Sequence, residues 1–241
     1  MKAYILASSL ALLSGVSGRT MTVYNACPFT IWPAMFTDLN VPGNTAPSFT
    51  TGWSAASFTA VTFDLPNNWQ AGRIWARRDC DFSTNPGPNS CLDGGCNGGL
   101  VCDPHTGTGV PPASLAEFTL SGAGNKDYYD VSLVDGYNLP IRVDNNVGCP
   151  IPKCAVDLGP NCPAPLKGPF DSTGFPVGCK SACIANLSGI QPTPRIAARG
   201  PLTHLLRVQV PALLITVTSR MPALTHTLTH MTNPVVRYLE L

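Results

Sequence analysis

Short runs of alternating apolar and polar residues recur along the first three quarters of the chain, rich in β-branched and aromatic types. They are Thr20 to Ile31, Phe58 to Leu65, Arg73 to Trp75, Leu115 to Leu120 and Tyr128 to Val134. A period of two sends successive side chains to opposite faces, so each run predicts a strand with one buried face. Turn-forming clusters separate the runs: Pro42-Gly43, Pro66-Asn67-Asn68, Asp93-Gly94-Gly95 and Asp135-Gly136. No segment sustains an apolar repeat of 3.6 residues. Many short strands with punctuating turns predict an all-β sandwich or barrel.

The same parity assigns directions. In Leu115–Leu120, Phe118 and Leu120 share a face and Glu117 takes the other; in Tyr128–Val134, Val131 and Leu133 oppose Asp130. Both carboxylates are therefore expected on outer strand surfaces, where they are held more rigidly than on loops. That placement suits a site, and it also suits ordinary solvated residues.

Composition narrows the class. With 241 residues, ten of them Cys, and only 12% charged, the chain can bury a core and is too apolar for disorder. Its net charge of +1 gives no global basic field for nucleic acid. No stretch supplies the roughly 18 uninterrupted apolar residues of a membrane helix. Lys2, the apolar run Ala3 to Leu13 and the small residues Val16-Ser17-Gly18 predict a signal peptide over residues 1–18, with Arg19 first in the mature protein. A secreted or extracellular location follows, and the cysteines become disulfide candidates. Asn186-Leu187-Ser188 fits the N-glycosylation sequon.

Charge divides the chain. Residues 19–189 carry 9 basic and 13 acidic residues, whereas residues 190–241 carry 5 Arg and a single acid, Glu240. Every cysteine lies at Cys183 or earlier.

Longer motifs bring a resemblance. Gly72-Arg73-Ile74-Trp75-Ala76-Arg77-Arg78-Asp79-Cys80 resembles the G-R-x-W-x-R-x-x-C segment of thaumatin-like proteins. Gly87 to Cys102 resembles that family's cysteine-and-glycine signature, with Gly95 where an Asp is usual. Pro111 to Phe118, Asp127 to Pro140 and Gly178 to Cys183 are similar almost residue for residue. The resemblance covers about residues 20–189. It implies a flattened β-sandwich with disulfide-rich loop regions and, between sandwich and loops, an acidic cleft lined by one Arg and four acids. Carried over, these are Arg77, Glu117, Asp130 and Asp135, with Tyr128 and Tyr137 nearby. The fourth acid belongs to a C-terminal stretch absent here. The resemblance also implies the pairs Cys80–Cys91, Cys96–Cys102 and Cys162–Cys179. It leaves Cys27, Cys149, Cys154 and Cys183 unpaired, because their partners would lie beyond Gly189.

Residues 190–241 read as an out-of-frame translation, not expected to fold as in the family. If one base was lost near Gly189, each true codon is the last base of one printed codon plus the first two of the next. Ile196 to Gly200 then permits the family's N-C-C-S-G. Across Arg220 to Leu224 the single codon of Met221 forces the Ala of D-A-C-P. Across Thr225 to Asn233 the Met231–Thr232 junction forces an Asp where the fourth acid belongs. The rival reading is a genuine basic extension, whose His226 and His230 suggest a metal tract. Thr at alternate positions and no nearby acid or Cys argue against it.

For function, the resemblance implies binding of β-1,3-glucan or another cell-wall polysaccharide, with an antifungal, defence or wall-remodelling role. One alternative is an endo-β-1,3-glucanase with Glu117 as acid and Asp130 or Asp135 as the second carboxylate, since glycoside hydrolysis usually needs one protonated and one ionised carboxyl. Another is a structural or inhibitor protein without glucan activity. No metal, cofactor, nucleic-acid partner or integral membrane segment is implied, and a monomer is expected. His105 sits in a Cys-flanked turn without a G-x-S-x-G elbow, and Gly94 to Gly99 lacks the strand-to-helix setting of a phosphate loop.

Overall fold

The computed structural model describes residues 19–187, the two-residue strand Met231–Thr232 and the strand Val236–Glu240. The leader at 1–18 and most of the 190–241 tail, including the Thr-His tract, lie outside the described residues. So does Ser188, the last residue of the sequon.

Among the described residues twelve strands form: β1 (Arg19–Tyr24), β2 (Ala34–Thr37), β3 (Ala60–Leu65), β4 (Gly72–Trp75), β5 (Arg78–Cys80), β6 (Cys91–Asp93), β7 (Leu115–Thr119), β8 (Lys126–Ser132), β9 (Ile141–Asn145), β10 (Lys153–Cys154), β11 (Met231–Thr232) and β12 (Val236–Glu240). The described helix is one 3-10 turn, Ala164–Leu166. One sheet has the order β10-β9-β12-β1-β3, the other β11-β8-β7-β4-β2, and β5-β6 stand apart as a hairpin. Pairing is antiparallel except where β12 runs parallel to β1. Two segments of the tail thus join the sheets, β11 against β8 and β12 between β1 and β9. Among the described residues no helix is long and apolar enough to cross a membrane.

The main core lies between the two sheets. Met21 and Val23 of β1, Phe63 and Leu65 of β3, and Ile141 and Val143 of β9 meet Met35, Ile74, Ala116, Phe118, Tyr129 and Val131 from the other sheet. The second sheet also packs on its far side, where Ala34, Phe36, Trp75 and Leu115 join Cys96, Cys102 and Ala113 in a smaller core. This explains why β2 is buried along its whole length and carries no legible alternation.

The first expected strand is shorter than its apolar pattern. β1 stops at Tyr24 because the buried Asn25 turns the chain: its amide donates to the carbonyls of Phe29, Ala55 and Ala56 and accepts from the Cys27 N–H. Such local side-chain bonds compete with a ladder. Three disulfides, Cys80–Cys91, Cys96–Cys102 and Cys162–Cys179, staple the loop regions. Cys27, Cys149, Cys154 and Cys183 stand outside these bridges.

Candidate functional site

The second sheet brings charged side chains into one transverse row. Register aligns Phe36 of β2 with Arg73 of β4, Arg73 with Glu117 of β7, and Glu117 with Asp130 of β8. Directly opposed residues hold their Cβ atoms about 5 Å apart on one face. Arg73, Glu117 and Asp130 therefore stand side by side on the face opposite the main core. The preceding row, Ala34, Trp75, Leu115 and Ser132, is covered by the smaller core and its Cys96–Cys102 bridge. Beyond that cover the sheet opens into a hollow of about 280 Å³, lined by Asp38, Ala71, Gly72, Arg73, Glu117, Phe118, Thr119, Tyr128 and Asp130.

Electrostatics follow from this crowding. Arg73 lies over the Phe36 ring, 5.9 Å from its centroid, and pairs with Asp135 at 3.8 Å. Burial raises the Glu117 carboxyl above the usual carboxylate range. Arg73 opposes that rise, the Asp130 charge adds to it, and a hydrogen bond with Ser132 offsets part of it. Burial likewise raises Asp135, against the pull of Arg73. One carboxyl biased toward its protonated form beside another acid is the arrangement that general acid chemistry requires.

Two residues expected in the cleft lie elsewhere. Arg77 is 0% exposed. Its guanidinium is consumed by backbone: Nε donates to Trp32, Nη1 to Gly99, and Nη2 to Pro33 and Leu100, all at 2.7–3.2 Å. It clamps the loop of the Cys96–Cys102 bridge onto the strand-end segment at 32–33. The arginine that faces Glu117 is Arg73, four residues earlier. Position along the strand shows why: β4 ends at Trp75, and Arg77 lies beyond it under the cover of the Cys96–Cys102 bridge, its Nη1 3.4 Å from Cys96 Sγ, whereas Arg73 stands in the uncovered row. Tyr137 is buried in the main core, where its hydroxyl donates to Asp157. Tyr128 does line the hollow, and its hydroxyl donates to the Ala123 carbonyl. Asp38 was not anticipated. It follows β2, the strand without a legible pattern, so nothing in the sequence placed it here.

Other candidates stand apart from the hollow. Exposed His105 caps no catalytic group; its backbone N–H donates to Asp103. Asn186 is half-buried in a left-handed turn after Cys183, and its N–H donates to the Cys183 carbonyl.

Comparison with known proteins agrees with this architecture. The thaumatin family model matches residues 25–191. Thaumatin-like protein 2 of Prunus persica is 42% identical over 186 residues, 75% of this chain and 72% of that protein. Thaumatin-like protein 1a of Malus domestica is 38% identical over 189 residues, 76% and 73% of the two chains. A Prunus avium protein named glucan endo-1,3-beta-glucosidase is 37% identical over 187 residues, 75% and 71%. With more than half its length matched by the family model, and a relative above 40% identity, the chain belongs to the thaumatin family.

Proposed function

We propose that this is a secreted thaumatin-like protein that binds β-1,3-glucan or a related wall polysaccharide in the hollow. The observation that carries this reading is the in-register row of Arg73, Glu117 and Asp130, with Asp135 clasping Arg73. Carboxylates and a guanidinium fixed on strands offer converging acceptors and donors to sugar hydroxyls, and Tyr128 supplies a ring at the edge. The three disulfides suit an oxidising, extracellular compartment.

A second reading, hydrolysis of the same polymer, is favoured by the raised Glu117 carboxyl beside Asp130 and by the printed name of the Prunus avium relative. Glu117 would protonate the leaving oxygen, and Asp130 or Asp135 would serve as base or nucleophile. The two readings separate on one comparison. Wild type and Glu117→Gln are incubated with a soluble β-1,3-glucan, and both binding and reducing-sugar release are measured. Release lost with binding retained favours the hydrolase. Binding without release from either protein favours the binding module, and no binding by either refutes both.

The out-of-frame reading of residues 190–241 belongs to the same proposal. It restores an acid where the family's fourth cleft carboxylate is expected, and partners for the four cysteines outside the bridges.

A further inference from the structure

The floor of the hollow has a second row beside the ionic one. Two positions beyond Phe36, Arg73, Glu117 and Asp130 on the same segments lie Asp38, Ala71, Thr119 and Tyr128, and all four line the hollow. Backbone pairing runs out to them. The Asp38 N–H donates to the Ala71 carbonyl at 3.1 Å, the Leu120 N–H donates to the Trp69 carbonyl at 2.7 Å, and Thr119 stands opposite Tyr128. A step of two residues keeps the face, so this outer row lies about 7 Å farther from the covering loops than the inner one.

The two rows differ in chemistry. The inner row is ionic. The outer row carries a carboxylate at one end, a phenol ring at the other and a single methyl between them. Ala71 has a φ of 44°, a left-handed conformation that disfavours bulky and β-branched side chains. The floor is therefore low between Asp38 and Tyr128.

Both ends of the outer row are held in place. Asp38 Oδ1 accepts from the Asn40 N–H and from Asn40 Nδ2, each at 2.9 Å. Asn44 Nδ2 donates to the Asp38 carbonyl at 2.9 Å and to the Gln70 carbonyl at 2.6 Å, and its Oδ1 accepts from the Gln70 N–H at 3.0 Å. One amide thus ties the Asp38 turn to the segment that leads into Ala71. Asn40 takes Oδ1, which leaves Oδ2 as the acceptor for a ligand. At the far end the Tyr128 hydroxyl donates to the Ala123 carbonyl at 3.1 Å. Its ring lies against Gly122, where an added Cβ would stand 3.2 Å from it.

We propose that the outer row decides which polysaccharide the hollow accepts, with Asp38 as the specificity-determining residue. The inference rests on the polysaccharide reading above and names the class of chain: neutral and unsubstituted. One hexopyranosyl unit sits on the Ala71 methyl with its C–H face against Tyr128, and one of its hydroxyls donates to Asp38 Oδ2. The inner row holds the neighbouring unit. A sugar hydroxyl supplies the donor that an acceptor-only carboxylate needs. A unit bearing a carboxylate would instead bring another negative charge to Asp38, Glu117 and Asp130, and the one lining cation, Arg73, is already clasped by Asp135. Repulsion in the outer row therefore selects against acidic polymers as strongly as the hydroxyl bond selects for neutral ones. Asp38 acts on the choice of chain and not on bond cleavage.

The test uses the full chain and one polymer in two forms, a soluble β-1,3-glucan and the same glucan partly carboxymethylated. Titration calorimetry measures both against wild type, Asp38→Asn, Ala71→Asn and Asp64→Asn; the last removes an exposed charge from β3 on the other sheet. Wild type should bind the neutral form about tenfold more tightly than the carboxymethylated one. Asp38→Asn keeps the side-chain shape, yet should bind the neutral form about tenfold more weakly and lose most of the preference. Ala71→Asn, which a left-handed backbone tolerates, should fill the floor and weaken neutral binding by a similar factor, about tenfold. Asp64→Asn should match wild type on both polymers. Wild type alone gives a second readout that stands even if a variant does not fold. Raising salt from about 20 mM to about 500 mM should strengthen carboxymethyl-glucan binding and leave neutral binding level. A preference that survives Asp38→Asn, that is lost equally in Asp64→Asn, or that ignores salt overturns the outer-row assignment and leaves the glucan reading standing. No binding of either polymer by wild type overturns the glucan reading and this inference with it.

Discussion

Replacing Arg77 by Met, which keeps the length of the stem and removes the guanidinium, should unfold this protein more readily than any change in the hollow. Four backbone carbonyls, of Trp32, Pro33, Gly99 and Leu100, accept from that one group; Trp32 keeps the Arg77 N–H and Pro33 the Trp53 N–H as second donors, whereas Gly99 and Leu100 rely on the guanidinium. A buried acceptor left without a donor costs about 1–3 kcal/mol. The two carbonyls left without a donor, of Gly99 and Leu100, together cost about 4 kcal/mol, a large part of the roughly 5–15 kcal/mol typical of a domain. Burial lowers Arg77 only to about 10, so it is charged at neutral pH and its bonds are charge-assisted. Arg77→Lys should recover part of the loss, because an ammonium is a single point and cannot span carbonyls on both sides. A Cβ at Gly52 would collide with the Leu100 carbonyl and the guanidinium, so Gly52→Ala should be destabilising through the same clamp. The assay is guanidinium unfolding followed by Trp fluorescence. An Arg77→Met midpoint corresponding to less than about 1 kcal/mol of loss would refute the clamp. So would a folded Arg77→Lys protein that loses glucan binding while Arg73→Lys keeps it.

Arg73→Met should behave in the opposite way. Its pair with Asp135 is about 30% exposed on each side, so stability should change by less than about 1 kcal/mol, while glucan affinity falls about tenfold by titration calorimetry. Glu117→Gln should flatten part of the pH dependence of stability. The folded-state carboxyl is raised, so wild type loses stability as pH climbs from the unfolded value through the folded one, and the Gln variant should not; Tm against pH reads this directly. Sequencing of transcript and genomic DNA across codons 180–241 should find an additional base near Gly189. The printed frame in both would retire the out-of-frame reading.

Much of the sheet framework was legible because strand parity and core packing point the same way. Phe118 and Val131 face the main core while Glu117 and Asp130 face outward, as the alternation of β7 and β8 predicts. Legibility failed where a segment serves two cores or none. β2 is buried on both faces and has no period to read. β5 and β6 are three residues each and exist through their pairing across the Cys80–Cys91 bridge. The burial of Arg77 away from the hollow was illegible for a related reason, since motif spacing cannot tell a strand residue from one just past the strand end. Register would have sufficed: once β4 is laid beside β7, Arg73 is the arginine opposite Glu117.

The smaller core has a further consequence for the hollow. It covers the row of Ala34, Trp75 and Leu115 on the second sheet and reaches the next row only at Phe36 on β2, and same-face rows are about 7 Å apart along a strand. The edge of this cover is therefore the end wall of the hollow. Trp75 forms that edge, its indole N–H held by the Gly94 carbonyl at 2.7 Å, and the segments around Cys96 and Cys102 rest on it. Those loops are anchored by their own disulfide and by Arg77, and they contribute nothing to the packing between the two sheets. Loop length there can change how far the groove runs, row by row, without disturbing the sandwich. A single scaffold can in this way present a shorter or longer trough, with the row of Arg73, Glu117 and Asp130 left in place.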